Sequence, residues 1–252
     1  MGKLNTAIIF FSVAYFCVGL LLYFSQRSFL YYPTPAVKHD FDEMVLNNSG
    51  ASINVIIANK GQQKAIIYFG GNGEAVVYNA PIFANIFPSH TIYLFNYRGY
   101  GGSSGSPKEK DIYSDALSIF ETVRTDHAEI SIMGRSLGTG VATYLAAQNE
   151  ITKLVLITPF DSIQSLAQHR FFLYPMALLL KDKYDSLSRV KSITAKTLII
   201  IAENDEIIAF KHSDKLIKAF PRSQVTVNKI PNAGHNTLSE NEQYYQILKS
   251  FL

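Results

Sequence analysis

The sequence contains almost no cysteine, since Cys17 is the only one. One cysteine cannot form an internal disulfide or a zinc site with several cysteine ligands. The HExxH and EF-hand patterns of zinc and calcium sites are also missing. Runs of one charge sign are missing too, because lysines and arginines are scattered among acidic residues and the net charge is only +3. We therefore predict no nucleic-acid partner and no metal site.

An uncharged apolar run of eighteen residues begins at Ala7 and ends at Phe24, with the sequence AIIFFSVAYFCVGLLLYF. As a helix it is about 27 Å long, close to the ~30 Å hydrocarbon thickness of a bilayer. A signal peptide usually has a shorter apolar region and a small-x-small cleavage site, which SQRSFLYYP does not supply. We predict a single-pass membrane anchor within residues 1–28, with a cleaved signal peptide or a buried core helix as alternatives. Lys3 and Arg27 leave the side of the membrane open.

The rest of the chain alternates between strand-like and helix-like segments. Residues 29–43 have mixed charge, prolines and no apolar periodicity, so we interpret them as a linker to a catalytic domain at 44–252. Two short runs at 44–47 and 53–58 predict a hairpin. Mostly continuous apolar runs, typical of strands buried on both faces, follow at 65–69, 91–96, 129–133, 153–158, 197–202 and 224–230. This order predicts an α/β fold with a mainly parallel eight-stranded sheet and helices on both faces.

Two serines lie in glycine-rich stretches, Ser136 in GRSLG and Ser103 in GGSSG. Ligands of parallel sheets bind at the carboxyl ends of the strands. Ser136 follows the predicted strand at 129–133 and opens a helical segment, which is the strand, sharp turn and helix of a nucleophile elbow. Ser103 lies in a flexible loop that adjoins neither element. We predict that Ser136 is a nucleophile, and a helix N-cap is its alternative role.

A serine nucleophile needs a base that takes its proton and a carboxylate that orients the base. Asp205 directly follows one predicted strand, and His235 lies in the loop after the last strand. We predict the triad Ser136, Asp205 and His235, in that chain order. Asp161 follows another strand and is the alternative acid, while Glu206 is interpreted as a solvated charge.

The sequence also offers donors for an oxyanion hole. In acyl transfer each backbone N–H aimed at the developing negative charge contributes about 2.7–4 kcal/mol. Leu137 follows the nucleophile and supplies one N–H group, and Asn72 in IIYFGGNGE supplies the other after the third strand. A glycine-rich turn can instead hold a phosphate, but no GxGxxG or P-loop spacing is present.

The motifs YFGGNGE, NYRGYGGSSGSP, GRSLGTG, AENDEII and NAGHN follow one another in the order found in α/β-hydrolases. Over about residues 41–252 the chain resembles the anchored, small-lidded serine hydrolases of the alpha/beta hydrolase domain-containing group, which are related to serine aminopeptidase-like folds. The resemblance implies hydrolysis of an ester, thioester or amide without a cofactor. Two residues depart from the pattern: Gly70 replaces the histidine of His-Gly-Asn, and Asn96 replaces an aspartate.

Residues 159–190 occupy the place where such a fold carries a lid. This insertion contains the apolar run RFFLYPMALLL, which is interpreted either as a rim that receives an acyl chain or as two ordinary amphipathic helices packed on the sheet. We predict a small-molecule or lipid acyl substrate. An aminopeptidase or amidase, and a catalytically silent membrane-tethered scaffold, are the alternative functions.

Overall fold

The computed structural model describes residues 3–252 and begins with the helix α1 (Lys3–Leu30). By length and composition, Leu4–Leu30 is able to cross a membrane. A helix that is apolar on all sides belongs either in a protein core or in a membrane. No part of its most apolar stretch is buried inside the structure, which excludes the buried core helix. A signal sequence passes the same test of length and composition.

The remaining chain forms one sheet with helices on both faces. The strands are β1 (Asp42–Asn48), β2 (Ala51–Ala58), β3 (Lys64–Phe69), β4 (His90–Phe95), β5 (Glu129–Arg135), β6 (Lys153–Ile157), β7 (Lys196–Ala202) and β8 (Val225–Ile230). The helices after α1 are α2 (Ala80–Ile86), α3 (Glu109–Val123), α4 (Leu137–Gln148), α5 (Ile163–Arg170), α6 (Met176–Leu179), α7 (Phe210–Ala219) and α8 (Glu242–Phe251). Short 3₁₀ helices lie at Val76–Asn79, Leu187–Ser192 and Leu238–Glu240.

The sheet has the strand order β1-β2-β4-β3-β5-β6-β7-β8. β2 runs antiparallel to both of its neighbours, and every other pair of adjacent strands is parallel. The predicted mainly parallel eight-stranded sheet is therefore confirmed. Because β3, β5, β7 and β8 point the same way, the loops that follow them meet at one edge of the sheet.

Two apolar cores cover the two faces of the sheet, and β3 shows why its sequence is apolar throughout. Ala65, Ile67 and Phe69 pack into the core beneath α3, α4 and α7. Ile66 and Tyr68, which alternate with them, pack into the other core with α2 and α8. A strand with successive side chains on opposite faces must be apolar at every position when both faces are covered.

The segment between α1 and β1 has no regular secondary structure, yet it packs closely against the domain. Tyr31 is 4% exposed, and its hydroxyl lies 2.9 Å from the hydroxyl of Tyr184. The backbone N–H of Tyr32 donates to Asn72 Oδ1 over 2.9 Å. This segment fixes the end of α1 near the carboxyl edge of the sheet. The division of the chain at residues 28 and 43 stays a prediction.

The insertion at 159–190 contains the two short helices α5 and α6, and α5 packs on the core through a few half-buried side chains. α5 has no buried residue, and Met176 is the buried residue of the short α6. Ile163 and Leu166 of α5 are half-buried and pack on the edge of the core. The insertion therefore lies as an apolar cover at the sheet edge where the loops after β3, β5, β7 and β8 meet.

Candidate active site

Ser136 lies at a sharp turn between β5 and α4. Its backbone has φ 48° and ψ −116°, a conformation that an L-residue rarely adopts and that costs about 1–3 kcal/mol. Glycines make the turn possible, because a Cβ on Gly138 would collide with the carbonyl of Phe69 and a Cβ on Gly134 would collide with the backbone of Gly138. The strand, turn and helix geometry is that of a nucleophile elbow, and it aims the serine side chain into the space above the sheet edge.

The structure brings Ser136, His235 and Asp205 into one hydrogen-bonded chain. His235 Nε2 lies 2.9 Å from Ser136 Oγ, and His235 Nδ1 lies 2.9 Å and 3.1 Å from the two carboxylate oxygens of Asp205. Asp205 Oδ1 also accepts the backbone N–H groups of Ile207 and Ile208. The histidine is 3% exposed, so its orientation is well constrained. This arrangement lets His235 take the serine proton while Asp205 fixes its tautomer.

The alternative acid, Asp161, lies elsewhere. Its Oδ1 atom is 2.8 Å from His212 Nδ1, and its Oδ2 atom is 3.4 Å from Lys215 Nζ. Burial raises the pKa of Asp161, but hydrogen bonds from Ser165, His212 and the backbone of Ser162 outweigh this and lower it. Asp161 is therefore an ionised partner of His212 and makes no contact with His235 in the described structure.

The Ser103 side chain forms hydrogen bonds with backbone groups next to its own loop. It is 7% exposed, accepts the N–H of Asn54 over 2.9 Å, and donates to the carbonyl of Asn96 over 3.1 Å. These bonds join the glycine-rich loop to β2 and to the end of β4. Asn96, one of the two departures from the family pattern, thus contributes a backbone acceptor here.

Both predicted oxyanion residues lie beside the nucleophile. A cavity of about 490 Å³ is lined by Ser136, His235, Leu137 and Asn72, among other residues. The Asn72 side chain is held in place, because its Oδ1 atom accepts from Tyr100 Oη over 2.8 Å as well as from the chain after α1. The apolar part of the wall comes from Phe29, Leu30, Leu137, Phe160, Ile163, Leu166, Ile207 and Ile208. The oxyanion role of Leu137 and Asn72 stays a prediction.

Glu74 and Arg135 are site residues that sequence reasoning missed. Glu74 Oε2 accepts the N–H of Gly71 over 2.7 Å and Nη1 of Arg135 over 2.9 Å. Arg135 Nη2 donates to the carbonyl of His235 over 3.1 Å. The pair thus connects the glycine-rich loop after β3, the residue before the nucleophile and the histidine loop. The motifs GGNGE and GRS contain both residues, but nothing in the sequence indicates that their charges form a pair.

The surroundings of Arg135 and Tyr68 change the pKa of both side chains. Burial lowers the pKa of Arg135, but the carboxylate of Glu74 more than offsets this and raises it overall. Burial and the nearby Glu74 charge raise the pKa of Tyr68, whose hydroxyl donates to Glu74 Oε1 over 2.5 Å. Glu206, expected to be a solvated charge, is exposed but also accepts the N–H of His235 over 3.0 Å. Within residues 3–252, no group of three or more His, Cys, Asp or Glu side chains is placed to hold a metal ion.

Comparisons with known proteins agree with this geometry. A family model described as the alpha/beta hydrolase fold matches residues 64–180. The esterase Pf2001 of Pyrococcus furiosus superposes with a TM-score of 0.70 over 88% of this chain and 98% of that chain, at 15% identity. At such low identity the likeness shows the fold alone. Together with the strand order, these matches establish that the chain has the α/β-hydrolase fold.

Two curated relatives are similar in sequence. Over 152 residues the chain is 36% identical to the uncharacterized protein Rv2307c of Mycobacterium tuberculosis, covering 58% of this chain and 53% of that protein. Over 165 residues it is 30% identical to the alpha/beta hydrolase domain-containing protein aho-3 of Caenorhabditis elegans, covering 64% of this chain and 48% of that protein. The chain thus spans about half the length of these relatives.

We predict that Glu74→Gln slows reaction of Ser136 with a fluorophosphonate probe by about a hundredfold, the effect of a displacement near 1 Å in a catalytic site. The variant keeps the side-chain size but removes the charge that pairs with Arg135. Probe labelling over time gives the rate, and thermal unfolding checks the fold. Glu150→Gln, an exposed change at the end of α4, is the matched control. Equal rates for both variants would show that the ion pair does not position the site.

Proposed function

We propose that the chain is a serine hydrolase that cleaves carboxylic esters or thioesters with an apolar acyl chain. Ser136 is the nucleophile, His235 the general base and acid, and Asp205 the group that orients His235. The observation that carries the proposal is the continuous hydrogen-bond chain from Ser136 Oγ through both nitrogens of His235 to Asp205. Chemistry of this kind needs no cofactor.

The reaction proceeds through an acyl-enzyme. Ser136 Oγ attacks the carbonyl carbon while His235 Nε2 takes its proton, and the backbone N–H groups of Leu137 and Asn72 stabilise the oxyanion. The bond to the leaving oxygen or sulfur then breaks, and His235 returns the proton to the leaving group. Water attacks the acyl-enzyme, gives one proton to His235, and releases the carboxylic acid as that proton goes back to Ser136 Oγ.

The hydrogen-bonded set of Ser136, His235 and Asp205 argues against a silent scaffold, because a binding module has no need for all three side chains. An amidase would use the same three side chains, so the wall of the cavity has to distinguish the substrates. Its apolar side chains, among them Phe29, Ile163 and Ile207, favour an acyl chain over a charged aminoacyl group.

We further propose that α1 is retained as a membrane anchor. Gln26 Nε2 donates to the carbonyl of Leu179 over 3.0 Å, and Arg27 pairs with Asp182 over 2.8 Å. Phe29 and Leu30, at the end of the same helix, form part of the active-site wall. Cleavage near Ser25 would keep these two bonds but would remove Tyr15, whose hydroxyl donates to the carbonyl of Leu173 in the insertion over 2.8 Å. An uncleaved helix therefore fits the fold better than a signal peptide.

Ser136→Ala should abolish fluorophosphonate labelling and lower ester turnover by roughly 10⁶, the scale found when a triad serine is removed. Ser103→Ala is the comparison variant, because it changes the other serine in a glycine-rich stretch and should leave labelling intact. The measurements are gel fluorescence of the probe and hydrolysis of p-nitrophenyl esters. Persistent labelling of Ser136→Ala would falsify the assignment of the nucleophile.

Asp205→Asn should lower turnover by about 10⁴ while the fold is preserved, because His235 then loses the carboxylate that fixes its tautomer. Asp161→Asn is matched in chemistry and should mainly affect stability through the contact with His212. Turnover of one ester and the thermal unfolding temperature are measured for both variants. A larger loss of turnover in Asp161→Asn would mean that the acid has been misassigned.

The retained anchor predicts that the full chain stays in the membrane fraction after carbonate extraction, because α1 crosses the hydrocarbon region. Intact mass spectrometry of the extracted membranes should find the sequence before Ser25 still attached. Release of the protein into the carbonate supernatant, or a mature amino terminus near Ser25, would contradict the prediction.

A further inference from the structure

The insertion contacts the middle of α1 as well as its end. The ring of Tyr174 stacks on the ring of Tyr15, with centroids 4.6 Å apart and planes 7° from parallel. The Tyr15 hydroxyl also donates to the carbonyl of Leu173 over 2.8 Å. A Cβ on Gly19 would lie 3.4 Å from the Tyr174 ring, so the glycine leaves space for close packing. The loop between α5 and α6 therefore lies directly against the apolar part of the helix.

This contact sets the depth of the loop in a membrane. Tyr15 precedes Gln26 by eleven residues, which is about 16 Å along a helix. Tyr15 also lies near the centre of the uncharged run that ends at Phe24. If the run lies in the hydrocarbon of a bilayer, as the proposed anchor requires, Tyr174 and Leu173 lie in the hydrocarbon beside it.

The residues at this depth have the composition of a lipid-facing surface. Residues 171–180 read FFLYPMALLL and carry no charge, while the residues on either side of them in the sequence, Arg170 and Lys181, are both basic. Phe172 is 74% exposed and Leu178 is 81% exposed. Apolar side chains exposed together in this way mark a binding surface, and basic residues at its ends suit the polar headgroup region.

The carbonyl groups of the loop are paired within the protein. Each carbonyl oxygen of residues 171–175 accepts a hydrogen bond, from the chain itself or from the side chains of Tyr15 and Gln168. An unsatisfied backbone group costs several kcal/mol in a bilayer, so the pairing of these carbonyls lowers the cost of placing the loop in lipid. A single side-chain atom, Gln168 Nε2, donates to two of these carbonyls, those of Phe172 and Tyr174.

An apolar groove between α1 and the insertion lies next to the cavity of Ser136. A cavity of about 130 Å³ lies between the last turns of α1 and the helices α5 and α6, with Leu22, Ala167 and Leu179 in its wall. Phe29, Leu30 and Ile163 line this cavity and also line the cavity that contains Ser136. The two spaces share a wall and are adjacent at the end of α1.

We propose that residues 171–180 insert into the bilayer beside α1, and that the groove between them admits the acyl chain of a membrane-resident ester or thioester to Ser136. The substrate then enters sideways from the lipid with its chain between α1 and α5, and its carbonyl reaches the oxyanion donors. This inference rests on the proposed hydrolase function and on the retained anchor.

Insertion of the loop is tested with tryptophan fluorescence, because the natural sequence has no tryptophan. The full-length Phe172→Trp variant is placed in phosphatidylcholine vesicles whose acyl chains carry bromine, a quencher, at shallow or deep positions. Emission should be quenched strongly, and more by the deep bromines. Ala219→Trp is the control: this exposed residue ends α7, which follows β7 and runs back to the opposite edge of the sheet. Equal emission of Phe172→Trp in brominated and plain vesicles would overturn the insertion.

The groove is tested separately with Ala167→Trp, which fills its wall with a large side chain. The value of kcat/KM for a sixteen-carbon ester in vesicles should fall at least about tenfold, the loss expected when roughly two methylenes no longer fit. Hydrolysis of a two-carbon ester should fall much less, and Ala219→Trp should change neither value. Equal effects on both esters would refute the groove. If the unmodified chain hydrolyses no ester, the proposed function fails, whereas the quenching experiment still decides whether the loop is inserted.

Discussion

The ion pair between Arg135 and Glu74 holds the loops of the active site together. The two side chains are only 20% and 11% exposed, and burying two charges costs several kcal/mol each unless they are paired and further hydrogen-bonded. Here Glu74 also accepts a hydrogen bond from the N–H of Gly71, and Arg135 also donates one to the carbonyl of His235. The need to satisfy two buried charges therefore fixes the glycine-rich loop and the histidine loop relative to Ser136, which directly follows Arg135.

Steric packing provides the second constraint on the site. Gly138 lies against the carbonyl of Phe69, so α4 approaches β3 more closely than any side chain at that position would allow. The close approach forces the chain to turn within Ser136, and the cost appears as its positive φ. Large cores on both faces of the sheet hold this strained turn in place. The sharp turn at Ser136 is thus a consequence of helix–strand packing, and the ion pair then determines what surrounds it.

The fold and the meeting of three candidate side chains at one sheet edge could be predicted because both follow from local patterns. A continuous apolar run predicts a buried strand, parallel strands end at one edge, and Ser136, Asp205 and His235 each follow such a strand. The pairing of Arg135 with Glu74 leaves no comparable signal, because 61 positions separate the two residues and many other charges were available. Contacts of this kind depend on how loops of irregular conformation pack, which periodicity does not describe.

The role of α1 was underestimated from sequence for the same reason. Its apolar composition predicts a membrane helix, and composition alone says nothing of the neighbours that such a helix has. In the structure, Tyr15 stacks on Tyr174, and Arg27 pairs with Asp182 on the far side of the apolar loop. The contacts at the two ends of this loop hold the insertion along the helix. Phe29, one turn beyond the apolar run, faces the cavity of Ser136. Because the helix proposed as the anchor also contacts the insertion and the cavity of Ser136, movement of α1 relative to the sheet would change the size of the proposed acyl groove directly.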